Sequence, residues 1–191
     1  MAHERQEATR VILERWGATR DEIASAVVGD DLCPNARIVA TRCITIAAPP
    51  DQVFPWLRQM GFGRAGWYSY DWIDNLGRKS ATSIEPHLQT LETGGILPGG
   101  PADFEAVVVD PPRALIMRLA QKGLATKSTS FVLAYELRDC AEGTRLVTRM
   151  RARIDAPGGR IIEKLLLAPG DGIMLRRQLL NVAQRASAGH K

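Results

Sequence analysis

The sequence predicts an α+β domain in which a curved antiparallel sheet wraps a long C-terminal helix. Three observations carry this. Residues Thr129 to Leu137 and Thr144 to Ile154 alternate apolar and polar side chains with period two, as strands do when one sheet face is buried and the other is wet. After Pro157 the period becomes helical, and Leu175, Leu179, Val182, Ala183 and Ala186 form one apolar stripe. Between the first strand and the sheet run, Val53, Trp56, Leu57 and Met60 again recur at helical spacing. The chain has 191 residues, enough to bury roughly 70% of its unfolded surface without staples.

In chain order, residues 4 to 16 predict a short helix that ends at Gly17. Thr19 and Glu22 have the spacing of a capping box, so a second helix is expected from Arg20 to Gly29. GDDLCPNA, 29 to 36, reads as loop, and residues 1–36 as a helical extension on a main domain of 37–191. Ile38 to Ala47 is the first strand, with Ile44 and Ile46 on one face. The helix of Val53 and Trp56 follows, with Pro55 set awkwardly inside it. Glycines 61 to 66 break that helix, and a second short one is expected from Ser69 or Tyr70 to Leu76. ILPGG, ADFEAVVVD and ALIMRLA are further strands, and DCAEG, 139 to 143, is a hairpin turn. Pro169-Gly170-Asp171-Gly172 reads as an interruption, with the last helix running from Ile173 to Ala186.

Composition narrows the function classes. Three cysteines without CxxC spacing, and a charged start, MAHERQEATR, lacking the apolar core of a signal peptide, predict free thiols in the cytoplasm. No apolar run approaches the roughly 18 residues of a membrane span. The net charge is +4, but basic and acidic residues are mixed along the chain, which predicts a mildly basic surface and no nucleic-acid partner. Oligomeric state leaves no mark in the sequence.

The stretch Gly61 to Asn75, GFGRAGWYSYDWIDN, holds Trp67, Tyr68, Tyr70 and Trp72 within six residues. Large aromatics with polar handles suit the wall or entrance of a small-molecule pocket. GFGRAG matches GxGxxG by letter, but a helix precedes it and no βαβ unit surrounds it, so dinucleotide binding is excluded. The glycines instead let the chain turn sharply between two helices.

The segments TRCITIAAPPDQVFPWLRQMG (41 to 61), RAGWYSYDWIDN (64 to 75) and PGDGIMLRRQLL (169 to 180) resemble the START-like, or polyketide cyclase (SRPBCC), superfamily. RWGAT (15 to 19) and the GDDL beginning at Gly29 also look typical of a bacterial branch of it. The resemblance implies a helix-grip fold with a cavity between sheet and C-terminal helix. It also implies a small hydrophobic or aromatic ligand, such as a lipid or polyketide, while some relatives are cyclases or hydrolases. One fold hosts many functions, so no reaction is carried over.

The ligand-contact candidates are Trp56, Trp67, Tyr68, Tyr70, Trp72, Phe131, Tyr135 and Met174. Asp71 and His87 are the acid–base candidates, although capping by Ser69 or Asp71 and a surface loop at His87 are the plainer readings. No cofactor and no metal are expected, since His87 is the only histidine away from the termini. Arg145, Arg149, Arg151 and Arg153 share the strand face opposite Leu146, Met150 and Ile154, which predicts that they line the outer, wet face. Three functions remain open: ligand binding for storage, transport or sensing; cyclisation or dehydration using Tyr70, Asp71 or His87; and an interaction module with a filled core.

Overall fold

A computed structural model describes residues 14–121, 128–163 and 168–188. The expected helix 4–16 lies outside them except for its last residues. The described elements are α1 (Arg20–Ala24), β1 (Ile38–Ile46), α2 (Pro50–Arg58), α3 (Asp71–Asp74), β2 (Ile96–Leu97), β3 (Phe104–Asp110), β4 (Ala114–Leu119), β5 (Thr129–Cys140), β6 (Gly143–Ile154), α4 (Gly159–Ile162) and α5 (Ala168–Ala188). The strands form one antiparallel sheet in the order β1-β6-β5-β4-β3-β2. This is the helix-grip arrangement: the sheet curves around α5.

Strand parity builds the grip. Leu133, Tyr135 and Leu137 of β5 and Leu146, Met150 and Ala152 of β6 enter one core with Leu175, Leu179 and Val182 of α5. The helix stripe therefore finds its apolar partner on the concave face. The β5–β6 hairpin turns at Ala141–Glu142, pairing Cys140 with Gly143. Gly143 has φ +125, and a Cβ there would strike the Ile46 carbonyl, so only glycine lets β1 leave past this corner.

The convex face departs from expectation. It is not left to water, because the N-terminal extension covers it. Val27 and Cys33 pack on Cys43, Ala114, Ile116, Val132, Ala134 and Val147 in a second core. The arginine row of β6 ties the extension down. Arg145 grips Glu22 with two bonds, 2.6 and 2.9 Å, and reaches the Gly17 carbonyl at 2.6 Å. Arg149, only 4% exposed, donates to the carbonyls of Glu22, Ile23 and Ser25 at 2.7–3.1 Å and to Asp30 at 2.8 Å. Arg151 donates to the Cys33 carbonyl at 2.9 Å. Arg153 alone keeps the wetter role, pairing with Asp155 at 2.8 Å.

The capping box is present: the Thr19 amide donates to Glu22 at 2.7 Å and the Glu22 amide donates to Thr19 Oγ1 at 3.2 Å. The helix it starts is shorter than the sequence suggests. It ends at Ser25 rather than Gly29, because Arg149 takes the carbonyls that further helix would have used. Hydrogen bonding to Arg145 holds the Glu22 carboxyl down at about 2.

The Pro169–Gly172 stretch does not interrupt the last helix. It lies within α5, Ala168–Ala188. The second short helix is also trimmed to Asp71–Asp74.

Candidate functional site

The sheet and α5 do not close completely on each other. Between them lies a cavity of about 360 Å³ that opens to solvent. Phe104 of β3, Met117 of β4 and Phe131, Leu133 and Tyr135 of β5 form the sheet wall. Phe131, Leu133 and Tyr135 get there through the period-two pleat. Gly170, Met174 and Gln178, spaced by four on α5, form the opposite wall with Leu175. Trp67, Ser69, Asp74 and Gly99 complete the lining. Aromatic rings run along one side: Trp67 meets Phe104 edge-on at 5.8 Å, and Phe104 meets Phe131 at 5.9 Å.

The polar groups of the wall are mostly committed to one another. The Tyr135 hydroxyl donates to Gln178 Oε1 at 2.6 Å. Gln178 Nε2 donates to the Trp67 carbonyl at 2.8 Å. The Ser69 hydroxyl donates to the Met174 carbonyl at 3.0 Å. These bonds clip the Trp67–Ser69 segment onto α5. What remains toward the cavity is predominantly hydrocarbon and aromatic.

Asp74 is the exception. Both carboxylate oxygens are shielded from solvent, and neither makes a hydrogen bond of ordinary geometry among the described residues. A buried acceptor without a donor is costly and calls for an explanation. Burial pushes its carboxyl up to about 6, with the neighbouring Asp71 charge acting in the same direction; weaker contacts with its own backbone, Tyr70 and Ser69 oppose both.

The glycine turn shows why the aromatic segment splits. Gly61 and Gly66 pair across the loop at 3.1 and 3.2 Å. Tyr68 then takes φ +59, a conformation that a bulky residue adopts only when surroundings impose it. They do: its amide donates to Ser80 Oγ at 3.2 Å, its carbonyl accepts from Asn181 at 2.7 Å, and its hydroxyl accepts from Gln59 at 2.7 Å. The Arg185 guanidinium lies 5.0 Å from the ring centre. The kink sends Trp67 to the cavity and Tyr68 into the core. Burial pushes the Tyr68 phenol up to about 12.

The family described as polyketide cyclase / dehydrase and lipid transport matches residues 37–187. The chain belongs to that family. No curated protein matches the sequence. A protein from Rhodobacter sphaeroides has a similar crystal structure, with 14% identity, TM-score 0.51, and coverage of 81% of this chain and 95% of that one. The KanY protein, solved by NMR, is similar with 13% identity, TM-score 0.51, and coverage of 78% of this chain and 97% of that one. At such identities these likenesses speak to fold alone.

Within this family member the candidate residues divide. Trp67, Phe131, Tyr135 and Met174 line the cavity. Trp56 and Tyr68 lie in the core below, meeting edge-on at 5.9 Å. Tyr70 sits half-buried at the entry to α3, outside the lining. Trp72 is 74% exposed, because the single turn of α3 points it away from the body while Asp71 and Asp74 face inward. Asp71 accepts a bond from Ser80 Oγ at 2.5 Å and is not part of the wall. His87 is exposed on the 3-10 turn Pro86–Leu88. Of Asp71, Asp74 and His87, Asp74 alone belongs to the cavity lining. Phe104, Met117 and Leu133 of the sheet wall, with Gln178 and Asp74, are lining residues absent from the sequence candidates. Gln178 carries a signal that could have found it, since it is the polar member of the Leu175, Leu179, Val182 stripe.

Asp74 also yields a stability prediction. Its folded carboxyl binds a proton more tightly than the unfolded one, whose ordinary value is 3.8. The stability it contributes is therefore fully present below that value and is lost as pH rises through about 6. A shift of this size corresponds to about 3 kcal/mol, which solvent screening of a partly exposed group reduces to about 1–2 kcal/mol. Asp74→Asn should stabilise the fold by that amount at neutral pH and have little effect in acid. Urea melts across the acid-to-neutral range would show a flatter pH profile for the variant.

Proposed function

We propose that this protein binds a small, mainly apolar or aromatic molecule in the cavity between sheet and α5, for storage, transport or sensing in the cytoplasm. The observation that carries this is the 360 Å³ cavity with aromatic and aliphatic walls, of a size ordinary for small-molecule sites. Trp67, Phe131, Tyr135 and Met174 supply the contact surface. The pairing of Tyr135 with Gln178 and of Ser69 with the Met174 carbonyl supports binding over catalysis, because those groups already spend their donors on the protein. The family description, with its mention of lipid transport, points the same way.

A second reading, proton transfer on the bound molecule, is favoured by Asp74 in the cavity wall and by the cyclase / dehydrase half of the family description. A carboxyl raised to about 6 is suited to exchange protons near neutrality. It would act as the acid or base in a cyclisation or dehydration.

Native mass spectrometry of protein purified from its own host tests the first reading. The expected spectrum contains a species heavier than the chain by one small apolar molecule, released by organic solvent. Recovery of the bare chain alone, from cells in which the protein is abundant, would count against a resident ligand. A retained molecule that Asp74→Asn protein accumulates in a different chemical form would favour the second reading.

A further inference from the structure

The outer side of α3 and the turn after it form an unusual surface. Trp72 is 74% exposed and Leu76 77% exposed, with Ile73 nearly half exposed between them. A soluble domain seldom presents a tryptophan and two large aliphatics together without a partner. Arg78 and Lys79 come directly after, and both are exposed. The acids of the same segment are turned away. Asp71 is held by Ser80, and the Asp74 oxygens are shielded. Within residues 71–79 the exposed side chains are thus apolar and cationic only. It is also held firmly: the Gly77 amide donates to the Asp71 carbonyl at 2.8 Å and the Arg78 amide to the Asn75 carbonyl at 3.0 Å.

We propose that Trp72, Ile73, Leu76, Arg78 and Lys79 form a docking surface for an anionic lipid bilayer. Tryptophan sits preferentially at the water–lipid boundary. Aliphatic side chains entering that boundary and cations just above it act together, since neither anchors stably alone. Charge complementarity favours a bilayer over a protein partner: a segment whose exposed side chains are apolar or cationic matches a uniformly anionic plane. Among the described residues no helix is long and apolar enough to cross a membrane, so the contact is peripheral. The position gives the contact a purpose. Asp74 and Ser69 of the same segment line the cavity, so docking would bring the cavity up to the lipid, from which an apolar molecule could enter without crossing water.

The test is co-sedimentation of the full chain with phosphatidylcholine vesicles, with or without phosphatidylglycerol. Three proteins are compared: wild type, Trp72→Ala with Leu76→Ala, and Arg78→Glu with Lys79→Glu. All the replaced side chains are exposed, so urea melts should match wild type. Wild type should pellet with the anionic vesicles and much less with neutral ones. Either double variant should weaken that association by about tenfold or more, given roughly 1 kcal/mol per cation near the surface. Equal pelleting by all three proteins, or no pelleting by wild type, overturns the proposal. Sedimentation velocity covers the rival occupant. A wild-type dimer that the Trp72 and Leu76 substitutions dissolve, without vesicle binding, would make this face a protein interface instead.

Discussion

Arg149→Met should destabilise the protein by about 3–5 kcal/mol, the range for removing one partner of a buried charged network. The lost guanidinium is nearly inaccessible and serves Asp30, Thr41 and three backbone carbonyls of the extension. Methionine approximates its stem but removes the guanidinium donor from all three carbonyls, of which the Glu22 carbonyl keeps the Ser25 hydroxyl at 3.1 Å, and leaves Asp30 with the Val27 amide at 3.0 Å and the longer contact to Arg151 at 3.5 Å. The convex core would open with them, because Val27 and Cys33 reach the sheet only while the extension lies on it. Urea denaturation measures the loss. Limited proteolysis locates it, with new cleavage expected between Gly17 and Ala36. Arg153→Met is the comparison. Its head group is exposed and faces one carboxylate, so its cost should stay within about 0.5 kcal/mol.

How much of this is legible in the sequence varies by kind of interaction. The α5 stripe is legible because Leu175, Leu179 and Val182 report the 3.6-residue period directly. The arginine row is legible as a face, since strand parity fixes it, but not as a joint. Nothing local says that Arg149 will meet the carbonyls of residues more than a hundred positions earlier. The spacing marks Glu22 as the partner of Thr19, and it is, but its two oxygens also serve Arg145. Pro169 and Gly170 read as breakers because their cost inside a helix is large, yet both lie within α5. The aromatic cluster reads as a unit, whereas the φ of +59 at Tyr68 divides it between core, cavity and solvent. A single left-handed residue reverses the facing of its successors in the chain, and pattern alone does not reveal it. Arg42 shows the same limit. It is fully buried on β1, where parity would suggest an aliphatic side chain.

The second large effect concerns the cavity itself. Leu133→Trp adds an indole from the sheet wall, and Met174→Trp adds one from the helix wall. Both positions line existing space, so the larger ring can extend into the cavity instead of forcing neighbours apart, and overpacking strain should stay at or below the usual range of about 1–3 kcal/mol. Ligand affinity should fall by more than about tenfold in each, because the added ring occupies volume that an apolar guest requires. The two variants approach from opposite sides, so a shared loss cannot come from damage to one element.

The most direct measurement is a fluorescence titration of the uncharged apolar probe N-phenylnaphthylamine into wild type, Leu133→Trp and Met174→Trp, with urea melts of all three. A ligand cavity predicts saturable binding of one probe per wild-type chain, and weak or absent binding to two variants that remain folded. Failure of wild type to saturate, or equal affinity in all three folded proteins, would contradict a ligand cavity between the sheet and α5.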